Sequence, residues 1–219
     1  MSDSPAIIHT VTLPLTIDVG ATFLFSITGA WVAIRRHYDA VGLFVIAMAS
    51  GLGGGLMRDG IFIQSGPPAA MREGVYIIAV LAGCIAGRLF FTHASRLSKP
   101  FLILDALGTA AYGVVGASKA YEANLAIPAC IFVGVINASA SGLIRDVLVR
   151  EEPLMLKPGQ LLVLASLAGV CAFALTGAYF RAPLAVSAAT GIMVTFVIRL
   201  LSIFFNWKTK AVLQEPPAI

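Results

Sequence analysis

An arginine followed directly by an aspartate occurs twice within apolar sequence, and small residues precede both pairs. The first pair, Arg58-Asp59, lies in the run GLGGGLMRDG, and the second, Arg145-Asp146, lies in SASGLIRDVL. Charged side chains at depth in a bilayer are costly unless they face a cavity or one another. Glycines loosen a membrane helix only where the freed backbone groups find other partners. Two such elements in one chain predict a paired site for something small and polar.

The composition places these pairs in a polytopic membrane protein. Of the 219 residues, 58% are hydrophobic and only 12% are charged, an apolar share well above that of a soluble domain. The net charge of +4 bears on topology and on the lipid surface rather than on nucleic acid, because no basic run accompanies it. Cys84, Cys130 and Cys171 lie in apolar runs without CxxC spacing, which supports no zinc site. We expect no cofactor, no metal and no enzyme, since no nucleophile and base are paired.

Seven apolar stretches approach the ~20 residues that a hydrocarbon core requires. They are Leu13–Ile34, Ala40–Ile63, Glu73–Phe91, Pro100–Ser118, Ala123–Val149, Gly159–Tyr179 and Pro183–Phe205. Basic or proline-containing turns separate them. The pattern predicts an all-α fold in a single transmembrane domain over residues 1–219. The first stretch has no basic leader, so we expect it to be retained as a span.

The second half of the chain repeats the first without a gap, and the matching residues lie 87 positions apart. The strongest matches involve charged or polar residues: Asp18 with Asp105, Thr22 with Thr109, Arg58 with Arg145, and Asp59 with Asp146. Residues 13–92 therefore form repeat 1 and residues 100–179 form repeat 2, while a seventh helix, 183–205, lies outside both. Because each repeat has an odd number of spans, the second enters the membrane from the opposite side. The sequence predicts an inverted 3+3 repeat.

Basic residues in the connections predict the orientation. With the N-terminus outside, most of them fall on the cytoplasmic side, at Arg35, Arg36, Arg96, Lys99, Arg150, Lys157, Lys208 and Lys210, against Arg72, Lys119 and Arg181 outside. We expect a multi-pass protein of a bacterial or archaeal plasma (inner) membrane, with residues 206–219 as a cytoplasmic tail. Lys119 is expected to be solvated, and Arg199 to reach the headgroups.

Small residues fall near the middle of the second and fifth spans, namely Gly53, Gly54, Gly55, Ser139, Ser141 and Gly142. At a rise of 1.5 Å per residue, each Arg-Asp pair lies about 10 Å from the midplane, on opposite sides. A helix interrupted by these residues would expose carbonyls and hydroxyls that suit a partly dehydrated monovalent cation. Asp18 and Asp105 would add negative charge at the two pore mouths.

Two plainer interpretations of these residues stay open. The Arg-Asp pairs could be interfacial ion pairs that snorkel to the headgroups. The glycines could serve only close helix packing, which does not exclude a pore.

The doubled motif resembles a known family. Two three-helix repeats with a seventh helix, and a glycine-rich stretch that leads to Arg-Asp in the second span and is echoed in the fifth, are similar to prokaryotic trimeric intracellular cation (TRIC) channels. The matching positions are Gly53, Gly54, Gly55, Arg58, Asp59, Gly142, Arg145 and Asp146. The resemblance implies a homotrimer in the lipid membrane, with one hourglass pore per protomer for potassium and sodium. Ser139 to Gly142 replace the three glycines of repeat 1, so the two helices should not bend identically.

A monovalent cation channel gated by bending of helices 2 and 5 is the function that the sequence favours. Seven spans leave little mass for a rigid bundle that rocks against a scaffold. The alternative is a secondary carrier for glycine or another small amino acid, because inverted repeats with broken helices also build transporters. A structural membrane protein without a conduit is the third class.

Overall fold

The computed structural model describes residues 13, 15–91, 98–157 and 161–207, and these ranges contain helices and connections but no strand. The helices are α1 Leu15–Arg35, α2 Ala40–Met57, α3 Ala69–Arg72, α4 Val75–Leu89, α5 Lys99–Glu122, α6 Ile127–Leu148, α7 Leu162–Ala174 and α8 Leu184–Phe204. Two π-helical segments, Arg58–Ile63 and Leu175–Tyr179, extend α2 and α7. The all-α prediction is confirmed. Most of the predicted tail, from residue 208 onward, lies outside the described residues.

Six of the predicted spans are helices that are long and apolar enough to cross a membrane. They are Leu15–Arg35, Ala40–Ile63, Lys99–Glu122, Ile127–Leu148, Leu162–Tyr179 and Leu184–Phe204. The stretch predicted over Glu73–Phe91 forms only the 15-residue α4, whose length of about 22 Å is less than a hydrocarbon core of roughly 30 Å. That α4 crosses the membrane therefore stays a prediction.

The glycines do not interrupt α2, so the prediction of a helix broken at these residues is wrong. α2 runs as an α-helix through Gly53, Gly54 and Gly55, and α6 likewise runs through Ser139 and Gly142. The reason is that the missing side chains serve contact between helices, as the plainer interpretation proposed. α2 changes its hydrogen bonding only at Arg58, where the π-helical segment begins.

The internal duplication is visible in matched hydrogen bonds. Ser50 Oγ donates to the carbonyl of Phe25 at 2.9 Å, and its counterpart Asn137 donates through Nδ2 to the carbonyl of Tyr112 at 2.6 Å. Phe25 and Tyr112 are themselves counterparts, and their rings stack with centroids 5.4 Å apart. A local two-fold axis therefore passes between these two rings, where α1 of repeat 1 meets α5 of repeat 2.

α5 lies at the centre of the helices and contacts α1, α6, α7 and α8. Within its apolar stretch 83% of the residues are buried, against 28% for α8. α5 can lie so deep because small residues face its neighbours; a Cβ at Gly116 would lie 3.1 Å from the Cα of Gly134 in α6. Polar side chains on α5 are consequently held away from lipid.

We expect Gly29→Ala to destabilise the protein, because a Cβ there would lie 2.8 Å from Ser50 Cβ and 2.9 Å from Ala47 Cα. Overpacking of this kind lowers the free energy of unfolding by about 1–3 kcal/mol. The melting temperature in detergent should therefore fall by roughly 2–4 °C for each kcal/mol lost. Gly20→Ala is the matched control on the same helix, since a Cβ at Gly20 meets no described atom within 4 Å. Equal melting temperatures for the two variants would contradict the packing assigned to Gly29.

Candidate functional site

Arg58 lies in a buried cluster with two carboxylates, which we call the Arg58 cluster. Its guanidinium nitrogens lie 3.2 Å from Asp18 Oδ2 and 2.6 Å from Asp59 Oδ1. Lys119 Nζ lies 2.7 Å from Asp18 Oδ2, and the Tyr76 hydroxyl donates to the same oxygen at 2.7 Å. Arg58 and Asp18 are each only 2% exposed. Two acids and two bases make the cluster electroneutral.

The second repeat builds an equivalent group, the Arg145 cluster. Arg145 lies 3.3 Å from Asp105 Oδ1 and 2.9 Å from Asp146 Oδ1, and it donates to Thr28 Oγ1 at 2.8 Å. Arg199 of α8 lies 3.2 Å from the other oxygen of Asp105. This cluster also contains two acids and two bases. The two clusters thus share the Arg-Asp-Asp arrangement and differ in the fourth member, Lys119 or Arg199, which has no basic counterpart 87 positions away.

The second aspartate of each Arg-Asp pair also holds the loop that follows it. Asp59 Oδ2 accepts a hydrogen bond from the backbone N–H of Ala69 at 3.0 Å, and Asp146 Oδ2 accepts one from Leu154 at 3.0 Å. Carboxylates that accept hydrogen bonds from a guanidinium and from a backbone amide are strongly oriented. Each cluster therefore connects a helix end to the loop that leaves it.

The burial of both guanidinium groups excludes one of the plainer interpretations. Snorkelling to the interface would leave the charged heads in contact with water or headgroups, whereas Arg145 is fully buried. Asp18 and Asp105 lie inside the clusters, so their charges are compensated by the arginines instead of standing free at an entrance. Their predicted role at the pore mouths stays a prediction, and Asp18 does line a cavity.

Sequence reasoning missed two members of these clusters. Lys119, expected in solvent, contacts Asp18, and Arg199, expected at the headgroups, contacts Asp105 with no exposed surface. Neither has a basic counterpart 87 residues away, so the repeat gave no signal for them. The available signal was that each set of matched residues holds two aspartates and only one arginine, because a buried charge requires a partner.

The α2–α6 contact brings the small residues together between the two clusters. The Gly54 amide donates to Ser141 Oγ at 3.1 Å, and these two residues are repeat counterparts. A Cβ on Gly53 would lie 2.7 Å from Ile144 Cδ1. Ser139 Oγ donates to the carbonyl of Val135 in its own helix at 2.8 Å. The centre of the site is consequently a packed contact rather than an open channel.

The remaining glycines lie beside the arginines in matched positions. A Cβ on Gly55 would lie 3.7 Å from Arg58 Nη2, and one on Gly142 would lie 3.4 Å from Arg145 Nη2. Both distances are those of ordinary contact, so each guanidinium rests against its glycine. The predicted site residues thus fall into the two clusters, beside their arginines or into the contact between them, except Ser139, which lines the small cavity at the Arg145 cluster.

The two clusters differ in their access to open space. A cavity of about 410 Å³ adjoins the Arg58 cluster and is lined by polar residues that include Asp18, Arg72, Glu73, Lys119 and Glu122. A second cavity beside it, of about 210 Å³, reaches Asp59. The cavity described at the Arg145 cluster holds about 10 Å³, which is the space of a single water molecule. Among the described residues, the cavities at the Arg58 cluster are therefore wide and the one at the Arg145 cluster is narrow.

The chain is similar in sequence to known membrane proteins. A family model described as "Glycine transporter" matches it twice, over residues 15–92 and 102–178. The UPF0126 membrane protein YvgT of Bacillus subtilis is 31% identical over 193 residues, which cover 84% of this chain and 89% of that protein. The UPF0126 inner membrane protein YadS of Escherichia coli K12 is 29% identical over 88% of this chain and 92% of its own length.

A solved structure with a similar fold comes from Rhodobacter sphaeroides and is named as a TRIC trimeric intracellular cation channel orthologue. It matches this chain with a TM-score of 0.81 and 28% identity, over 90% of this chain and all of the other. The chain belongs to the prokaryotic TRIC-like family. The resemblance predicted from the doubled motif is confirmed, and the TRIC-like protein is a multi-pass membrane protein.

We expect the TRIC-like protein to depend on charge balance within the Arg145 cluster. Arg145→Gln removes the cationic partner of two buried carboxylates and should lower the free energy of unfolding by about 3–5 kcal/mol. Asp105→Asn should also lower the free energy of unfolding. The loss in the double variant should be smaller, by about 0.5–3 kcal/mol, than the sum of the losses in the two single variants. A double-mutant cycle from thermal unfolding in detergent measures this coupling.

Lys157→Gln provides the control for that cycle. Lys157 Nζ lies 3.9 Å from an exposed Glu152 carboxylate, so its loss should change stability by less than about 0.5 kcal/mol. Additive effects of Arg145→Gln and Asp105→Asn would show that the two side chains are not coupled.

Proposed function

We propose that this TRIC-like protein is a channel for the monovalent cations potassium and sodium, with one pore in each protomer of a homotrimer. The observation that carries the proposal is the pair of matched, electroneutral clusters on either side of the α2–α6 contact. Charged side chains inside a membrane protein mark ion pathways by default. The similar Rhodobacter sphaeroides structure, named as a trimeric cation channel orthologue, supports the same function.

The cavity at the Arg58 end favours cations over anions. Its lining includes three carboxylates, Asp18, Glu73 and Glu122, against two cationic groups, Arg72 and Lys119. A surplus of negative charge in a cavity with low-dielectric walls concentrates cations near it. Because Asp18 is already neutralised by Arg58 and Lys119, the attraction is moderate. A moderate attraction allows an ion to leave again, as conduction requires.

The pore opens, in this proposal, when α2 and α6 separate by bending. Their contact at Gly54 and Ser141 closes the centre. The π-helical segment that begins at Arg58 gives α2 a place where its hydrogen bonding can change, as such segments often do at functional sites. In α6, Ser139 Oγ donates to the carbonyls of Val135 and Ile136, and this type of bond favours a bend.

The membrane, the cations and other copies of the chain are the partners in this proposal. α4 presents an apolar outer face that includes Ile78, Ile85 and Leu89, each more than 60% exposed in the single chain. A face of this kind suits lipid or another protomer. The basic residues of the connections favour an inner-membrane protein with a cytoplasmic C-terminus.

A carrier for glycine is the second candidate, and the cavity at the Arg58 end is the feature that favours it. A zwitterion needs a cationic and an anionic partner, and Arg72 lies next to Glu73 in the lining. The description of the matching family model names the same substrate. The closed centre is compatible with either function.

We expect discrete single-channel openings when the purified protein is recorded in a planar bilayer with asymmetric potassium chloride. The reversal potential should lie near that of potassium, and Arg58→Ala and Arg145→Ala should change or abolish the openings. An absence of currents, together with saturable glycine uptake into liposomes from the same preparation, would replace the channel by the carrier.

We expect Gly142→Leu to hold the conductance in one state. Gly142 rests against Arg145 beside a cavity of about 10 Å³, so a leucine must displace the guanidinium or fill the space. Gly20→Leu on α1 is the control, because a Cβ there meets no described atom within 4 Å and Gly20 lies outside both helices that are proposed to bend. An open probability that is unchanged in Gly142→Leu would disprove gating at this part of α6.

A further inference from the structure

An ion pair distinguishes the side of the protein with the Arg145 cluster from the side with the Arg58 cluster. Glu151, in the segment 149–157 after α6, accepts hydrogen bonds at a single oxygen from Arg35 at 2.6 Å and from Arg36 at 2.8 Å. Both arginines lie at the end of α1, more than 110 positions earlier in the chain. This group, which we call the Arg35–Glu151–Arg36 pair, fastens the loop after α6 to the first repeat.

The segment 149–157 covers the Arg145 cluster. Leu154 is only 3% exposed, packs in a core that contains Trp31 and Phe101, and donates its backbone N–H to Asp146 Oδ2 at 3.0 Å. Leu154 and Met155 line the small cavity at this cluster. The segment therefore forms part of the wall around the Arg145 cluster, and Glu151 lies three residues before Leu154.

The corresponding turn in repeat 1 has no such ion pair. The counterpart of Arg35 is Glu122, and the counterpart of Glu151 is Gln64, followed by Ser65. Neither Gln64 nor Ser65 carries a charge, and the Gln64 side chain donates to the carbonyl of Ile61 in its own turn. This is the end with cavities of about 410 and 210 Å³. The ion pair and the tight cavity occur together, and both are missing from the described part of the other end.

We propose that the Arg35–Glu151–Arg36 pair is an ionic latch that holds the segment 149–157 closed over the Arg145 cluster. Release of Glu151 removes the ionic contacts with Arg35 and Arg36, so that the segment can move against α1 and give water and ions access to Ser139 and Arg145 from that side. The role of the latch in ion conduction rests on the proposed function, because only a channel would use this access as part of an ion path. It makes the end with the Arg145 cluster the regulated one, because the opposite end is open without a latch.

The test measures access to the cluster without measuring ion flux. Ser139 is 5% exposed and lines the small cavity, so the variant Ser139→Cys, with the three native cysteines replaced by alanine, reports on access. The purified protein in detergent is reacted with a cationic methanethiosulfonate reagent. Glu151→Gln should raise the modification rate by about fivefold or more, since it removes two charge-assisted contacts.

Two further variants make the result decisive. Arg35→Gln/Arg36→Gln breaks the same latch from α1 and should raise the rate by a similar factor, so the test does not depend on the folding of one variant. Glu152→Gln is the matched control, because it removes the same charge from the neighbouring position, whose side chain is 63% exposed; it should leave the rate within twofold. An unchanged rate in both latch variants, or an equal rise in Glu152→Gln, would overturn the proposal.

Bilayer recordings of the same variants separate the latch from the channel. A faster modification with a higher open probability supports both. A faster modification without any current keeps the latch as a closure of the site and rejects the channel. Currents with an unchanged modification rate keep the channel and reject the latch.

Discussion

The need of a buried arginine for carboxylate partners is the constraint on which this structure depends. A guanidinium group does not lose its proton in a protein, and removing an ion from water costs several kcal/mol even after relaxation. Arg58 and Arg145 therefore have to meet Asp18 and Asp105, which lie 40 residues earlier in each repeat. These contacts hold α2 against α1 and α6 against α5. The second aspartate of each pair extends the same constraint to the loop that follows.

Close helix packing makes these contacts possible. Ion pairs of about 3 Å between neighbouring helices require backbones that approach closely, and small residues allow this. Gly29 and Gly116, which are repeat counterparts, each meet the second helix of their own repeat. The Gly54–Ser141 contact then joins the two repeats on the local axis. Glycines that suggest flexibility in the sequence thus contribute rigidity in the structure.

The repeat, six spans and the residues of the site could be predicted because they depend on local composition and on a constant offset. A match between Asp18 and Asp105 needs no knowledge of the fold. The partners Lys119 and Arg199 could not be predicted in the same way, because neither has a basic counterpart 87 positions away. The role of the glycines was also ambiguous, since a missing side chain permits both a break and a contact. Only the position of the neighbouring helix decides between them.

The differences between the repeats determine what the site can do. An exact inverted repeat would place the same cavity and the same loop at both ends, and no end could be regulated separately. Here the fourth member of the cluster is Lys119 at one end, with side chain 27% exposed, and the fully buried Arg199 at the other. A flexible, partly solvated lysine can leave its carboxylate at low cost, whereas a buried arginine that leaves its carboxylate exposes two unpaired charges to the interior. In the proposed channel, the Arg58 end therefore exchanges ions with its cavity, and the two closures lie farther along the path, at the α2–α6 contact and over the Arg145 cluster.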